Sequence, residues 1–133
     1  MIMNKITYSF LAVILIGCNQ QSRDLNTKII DDNLCIFTNE SENYGKDSFL
    51  VEIGKIDFSK EYQSEYDISY KDVNLPVDEK NCVYIPLNKI EENVAYTISL
   101  STINKLFSSQ ICILKEKNLN IIKKVEPGKS TCS

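Results

Sequence analysis

The 133-residue chain contains no histidine and no tryptophan, and only four glycines and three prolines. Each shortage removes a class of activity. Without histidine the chain lacks the commonest general base, the usual partner of a serine or cysteine nucleophile, and the commonest transition-metal ligand. Four scattered glycines cannot build a loop that cradles phosphates, and no Gly-x-Ser-x-Gly sequence presents a nucleophile. No tryptophan offers a stacking platform for a sugar, which disfavours a glycan binder. No Cys-x-x-Cys pair serves zinc or redox chemistry, and no Asp-x-Asp-x-Asp loop serves calcium. The acid pairs Asp31-Asp32, Asp78-Glu79 and Glu91-Glu92 fall in polar turns. Adjacent carboxylates on a strand point to opposite faces, so they do not converge on one substrate. The expectation is a protein that is not an enzyme and holds no cofactor or metal.

What is present begins with export. Lys5 precedes an apolar run from Ile6 to Ile16, which ends in Leu15-Ile16-Gly17-Cys18. A basic start, a short apolar core and a small residue before the cut mark a secretory signal peptide. The run is about half of the ~20 residues that a membrane-spanning helix requires. Cysteine directly after Leu-Ile-Gly resembles the lipobox of bacterial lipoproteins, which implies cleavage after Gly17 and lipidation of Cys18. Asn19 stands where an aspartate resembles an inner-membrane retention signal. The expected location is therefore the periplasm, anchored by lipid to the outer membrane. The expected division is signal peptide 1–17, polar tether 18–26 and one domain over 27–133.

Besides Cys18, four cysteines remain: Cys35, Cys82, Cys112 and Cys132. An even number in an exported chain reads as two disulfides, and four cysteines allow three connectivities. The charge is uneven. Residues 40–79 hold eleven acids against four lysines, a net −7, whereas residues 80–133 hold eight lysines against four acids, a net +4. Nucleic-acid binding requires a broad basic face, so no nucleic acid is expected as a partner. An acidic face suits a cationic protein partner.

From Thr27 onward the pattern has period two. Lys28-Ile29-Ile30 and Leu34-Cys35-Ile36-Phe37 flank the turn residues Asp31-Asp32-Asn33. Phe49, Val51 and Ile53 alternate with Leu50, Glu52 and Gly54; Val94, Tyr96, Ile98 and Leu100 alternate with Ala95, Thr97 and Ser99. Shorter runs over 66–70, 82–87, 107–113 and 119–125 complete eight expected strands. The stretch from Asp57 to Glu65 reads as a loop or a single turn. Eight short strands at ten-residue spacing predict an all-β fold, an antiparallel sandwich. The step from Ile90 to Tyr96 resembles the tyrosine corner of immunoglobulin and fibronectin type III domains, which makes that architecture the expected one.

The order lipobox, Leu34-Cys35-Ile36, Asn81-Cys82-Val83-Tyr84-Ile85-Pro86, corner, Val94 to Leu100, and final hairpin 110–122 resembles a known group. It is similar to the type VI secretion immunity periplasmic lipoproteins of Gram-negative bacteria. Cys35 and Cys82 match the two mid-domain cysteines of that group; Cys112 and Cys132 are additions, and the glycine-rich turn before the corner is missing. The resemblance implies an inhibitor that occludes a secreted toxin in the periplasm. It also implies a Cys35–Cys82 bridge between neighbouring strands, leaving Cys112–Cys132 to close over the last hairpin. Candidate partner-binding residues are Glu40, Glu42, Tyr44, Asp47, Glu61, Tyr62 and Glu65, acids interleaved with tyrosines. Tyr66 and Tyr70 read as core. The alternative is a structural or accessory lipoprotein of an envelope assembly that docks by strand addition.

Overall fold

Alternation decides the larger of two sheets. Along Lys46–Lys55, Phe49, Val51 and Ile53 are buried while Leu50 and Glu52 are only half-buried. A one-residue slip would turn that apolar set to solvent, so burial of one face holds the register. The computed structural model describes residues 22–40 and 45–132. The expected signal peptide, Cys18, Glu42 and Tyr44 lie outside the described residues.

Nine strands are described: β1 (Arg23–Asp24), β2 (Asn26–Ile30), β3 (Asn33–Phe37), β4 (Lys46–Lys55), β5 (Tyr66–Asn74), β6 (Val83–Pro86), β7 (Tyr96–Ser101), β8 (Leu106–Glu116) and β9 (Leu119–Lys124). The chain is all-β in two sheets. The larger has the order β1-β8-β7-β4-β5, with β9 also paired to β8; the smaller is β2-β3-β6. Every pairing is antiparallel except that of β1 with β8. One core lies between the sheets. Leu34, Ile36, Val83 and Ile85 of the smaller meet Val51, Ile98, Leu100, Phe107 and Ile111 of the larger.

Turn chemistry suits the hairpins. Asp31 at φ 52° starts the β2–β3 turn, and Lys117 and Asn118, at φ 50° and 63°, form the two-residue β8–β9 turn. β5 is an edge strand. Its pairing with β4 steps from Asp47↔Val73 to Phe49↔Tyr70, so β5 carries one extra residue, and Asp72 has φ 52° there. Such a bulge, with the charges of Asp67 and Lys71, blunts an exposed edge.

Two disulfides staple the fold: Cys35–Cys82 and Cys112–Cys132. Cys35 is on β3, and Cys82 immediately precedes β6, the strand beside it. Cys112, fully buried, faces away from the main core and joins Ala95, Val125 and Cys132 in a second small cluster under the C-terminal tail.

The fold begins earlier than the period-two pattern. The stretch expected as tether, 18–26, contains β1 and the first residue of β2, and Leu25 between them is only 2 % exposed. Leu25 donates its N–H to the Ser108 carbonyl at 3.0 Å. Backbone pairing to β8 and one buried leucine recruit this polar stretch, and neither leaves a periodic signal.

Candidate partner-binding surface

The loop over residues 56–65 joins β4 to the edge strand β5 and carries three of the sequence candidates, Glu61, Tyr62 and Glu65. Its ends are tied to the sheet: Ile56 N–H donates to Ala95 at 3.0 Å and Glu65 N–H to Ile53 at 2.8 Å. Inside it, the Asp57 carboxylate accepts from the Ser59 hydroxyl at 2.5 Å and the Ser59 N–H at 3.0 Å. These bonds, the hydroxyl's first, hold the Asp57 carboxyl below the usual carboxylate range.

The loop returns across the outer face of β4, where Gly54 has no side chain. A Cβ at Gly54 would stand 2.7 Å from the Tyr62 ring and 2.6 Å from the Gln63 carbonyl oxygen. The Tyr62 ring therefore occupies space that only glycine leaves free. Tyr62 remains 48 % exposed and Phe58 68 %. Partial burial pushes the Tyr62 phenol above its ordinary value, and the carboxylates of Glu52, Asp67 and Glu65 push it further.

The described sequence candidates do not form one patch. Asp47 is near the start of β4, while Glu61, Tyr62 and Glu65 lie beyond its other end. Asp47 and Lys55 are eight residues apart on a strand rising ~3.3 Å per residue, a separation of roughly 26 Å. Glu40 is engaged by Arg23 at 2.7 and 3.0 Å. Glu65 sits 3.8 Å from the Lys55 ammonium, which also meets Glu91 at 3.3 Å. The hydrogen bond to Glu91, then the charges of Glu65 and Glu91, raise the Lys55 pKa. Tyr66 and Tyr70 pack against the core, Tyr70 stacked on Phe49 with ring centroids 4.7 Å apart.

Two acids that sequence reasoning missed stand on the outer face near its β5 edge. Glu52 and Asp67 are direct cross-strand partners on β4 and β5. Continuing the same row, Glu52 faces Ser99 on β7, and Ser99 faces Ser108 on β8. The next row is Leu50 between Ser69 and Ser101. The alternation already showed that Glu52 points outward; its pairing with Asp67 depends on a register the sequence does not show.

Two of the hollows elsewhere differ in their lining. One, of about 430 Å³, opens between β5 and β6 and is lined by Phe49, Tyr70, Val73 and Tyr84, with no charged side chain. The other, of about 540 Å³, holds Asp32 and the Lys115–Glu92 pair at 3.2 Å. Among the described residues, no group of three His, Cys, Asp or Glu side chains could hold a metal ion. Compared with known proteins, the chain matches no family model, no curated protein and no solved structure.

Proposed function

We propose that this chain is a lipid-anchored periplasmic inhibitor that binds and neutralises a toxin delivered by type VI secretion. The observation that carries the reading is the lipobox-like Leu15-Ile16-Gly17-Cys18 ahead of a small domain closed by two disulfides. Disulfides persist in oxidising compartments such as the periplasm. Lipid would hold the inhibitor where the toxin arrives. The action is occlusion by a protein surface, with no catalysis, cofactor or nucleic acid involved.

The finer architecture belongs to the same proposal. The β2-β3-β6 and β5-β4-β7-β8 sheets have the strand order of an immunoglobulin or fibronectin type III sandwich read as A-B-E and C′-C-F-G. The Tyr96 hydroxyl, bonded to the Glu91 N–H, supports a tyrosine corner at the entry to the sixth of those strands. Domains of this shape commonly bind through their loops and sheet faces, so the fold suits a binding protein.

The second reading, an accessory lipoprotein of an envelope assembly, is favoured by the edge position of β5, whose regular stretch 66–70, short of the bulge at Asp72, leaves one side to a partner strand. One experiment separates the two. Cells exposed to the toxin encoded at the same locus are compared with and without this chain. Survival only in its presence supports the inhibitor; no protection rejects it and leaves the assembly subunit.

A further inference from the structure

We propose that the outer face of the larger sheet, at Glu52 and Asp67 beside Tyr62, docks an arginine-bearing segment of a protein partner. The nature of that partner, a secreted toxin, rests on the inhibitor reading; the arginine does not.

The register places Glu52 directly opposite Asp67 on an exposed sheet face. Like charges in that relation oppose strand pairing. Among the described residues, the Glu52 carboxylate has no hydrogen bond or ion pair, and the Asp67 carboxylate accepts from the Ser64 hydroxyl. The flanking positions of the row are the neutral Ser99 and Ser108. Tyr62 presents a half-exposed ring over Gly54, two residues from Glu52 on the same face of β4. The carboxylates of Glu52, Asp67 and Glu65 all act on its hydroxyl.

A negative pair beside an aromatic ring, in a row continued by serines, matches a guanidinium. That group donates in two parallel bonds to carboxylate and stacks on an aromatic face, which an ammonium cannot do. A second copy of this chain is a poor occupant, because face-to-face contact would bring four carboxylates together. The chain's own tail is also accounted for. Cys132 ties it to Cys112 on β8, and its Lys129 pairs with Glu126 at 3.0 Å.

The test needs no toxin. The full chain, isotope-labelled in detergent micelles, is titrated with a blocked tripeptide bearing a central arginine, and with the same peptide bearing citrulline. Saturable shifts at the Gly54, Tyr62 and Ser99 amides are expected with arginine, and binding about tenfold weaker with citrulline. The variant Glu52→Gln/Asp67→Asn, with an otherwise unchanged spectrum, should lose the arginine response. Equal responses to both peptides, or an unaltered response in the variant, would overturn the proposal. Protection assays keep the two readings apart. Full protection by the double variant rejects this surface alone, whereas arginine binding without protection by the wild type rejects the inhibitor alone.

Discussion

The Tyr96 phenol oxygen accepts a hydrogen bond from the Glu91 backbone N–H at 2.9 Å, five residues earlier in the chain. The ring is 1 % exposed, so the apolar body packs in the core while the hydroxyl satisfies a donor at the corner before β7. Tyr96→Phe keeps the ring and orphans that donor. We expect a loss of about 1–3 kcal/mol, the cost of an unsatisfied buried group. Urea unfolding should show a lower midpoint with an unchanged slope. A midpoint equal to wild type would mean that water replaces the hydroxyl.

Gly54→Ala should displace the 56–65 loop. The new methyl meets both the Tyr62 ring and the Gln63 carbonyl oxygen. Overpacking of this kind costs about 1–3 kcal/mol. Tyr62→Ala in the same chain should rescue only part of the loss, because the backbone oxygen stays. Thermal melting of the single and double variants reads this directly; complete rescue would assign the whole effect to the ring.

The two disulfides should differ in weight by loop length. Cys35–Cys82 closes 47 residues and Cys112–Cys132 closes 20. Chain entropy assigns them roughly 4 and 3 kcal/mol. Paired Cys→Ala variants should therefore melt in that order, the first lower. The reverse order would show that burial of Cys112 against Ala95 and Val125 outweighs loop closure.

Alkaline pH should weaken the fold through its tyrosines. Tyr62, Tyr70 and Tyr96 all have phenols raised above the ordinary value of 10.0, in each case chiefly by burial. The unfolded chain then loses phenolic protons before the folded one does. Stability is full below pH ~10 and falls as pH rises toward the folded values. Absorbance titration should show delayed tyrosinate formation, and Glu52→Gln should bring the Tyr62 step down. An unmoved step would remove Glu52 from the field at that hydroxyl.

Labelling of producing cells with a clickable fatty acid should mark the wild type and not Cys18→Ala. Several acyl chains would give far firmer anchoring than the marginal binding of one. Persistent labelling of the variant would reject lipidation at this position.

Local, periodic features are legible in the chain alone. The alternation of Phe49, Val51 and Ile53, or of Tyr96, Ile98 and Leu100, specifies strands with one buried face, because side chains on a strand repeat every two residues. The histidine-free composition and the four cysteines beyond Cys18 are equally plain in the chain. Tertiary structure decided which strands are neighbours, and with them which charges share a face. Glu52 meets Asp67 because the pairing from Phe49↔Tyr70 to Ile53↔Tyr66 runs in one register up to the 56–65 loop, with the bulge at Asp72 beyond it. Arg23 reaches Glu40, and Lys55 reaches both Glu65 and Glu91, across long stretches of chain. The candidate acids Asp47, Glu61 and Glu65 fall within one stretch of sequence but at opposite ends of β4, since a strand carries its ends apart while pairing brings distant residues together. Charge counted along a chain therefore overstates its concentration on any one face; the pairing of strands decides where like charges meet.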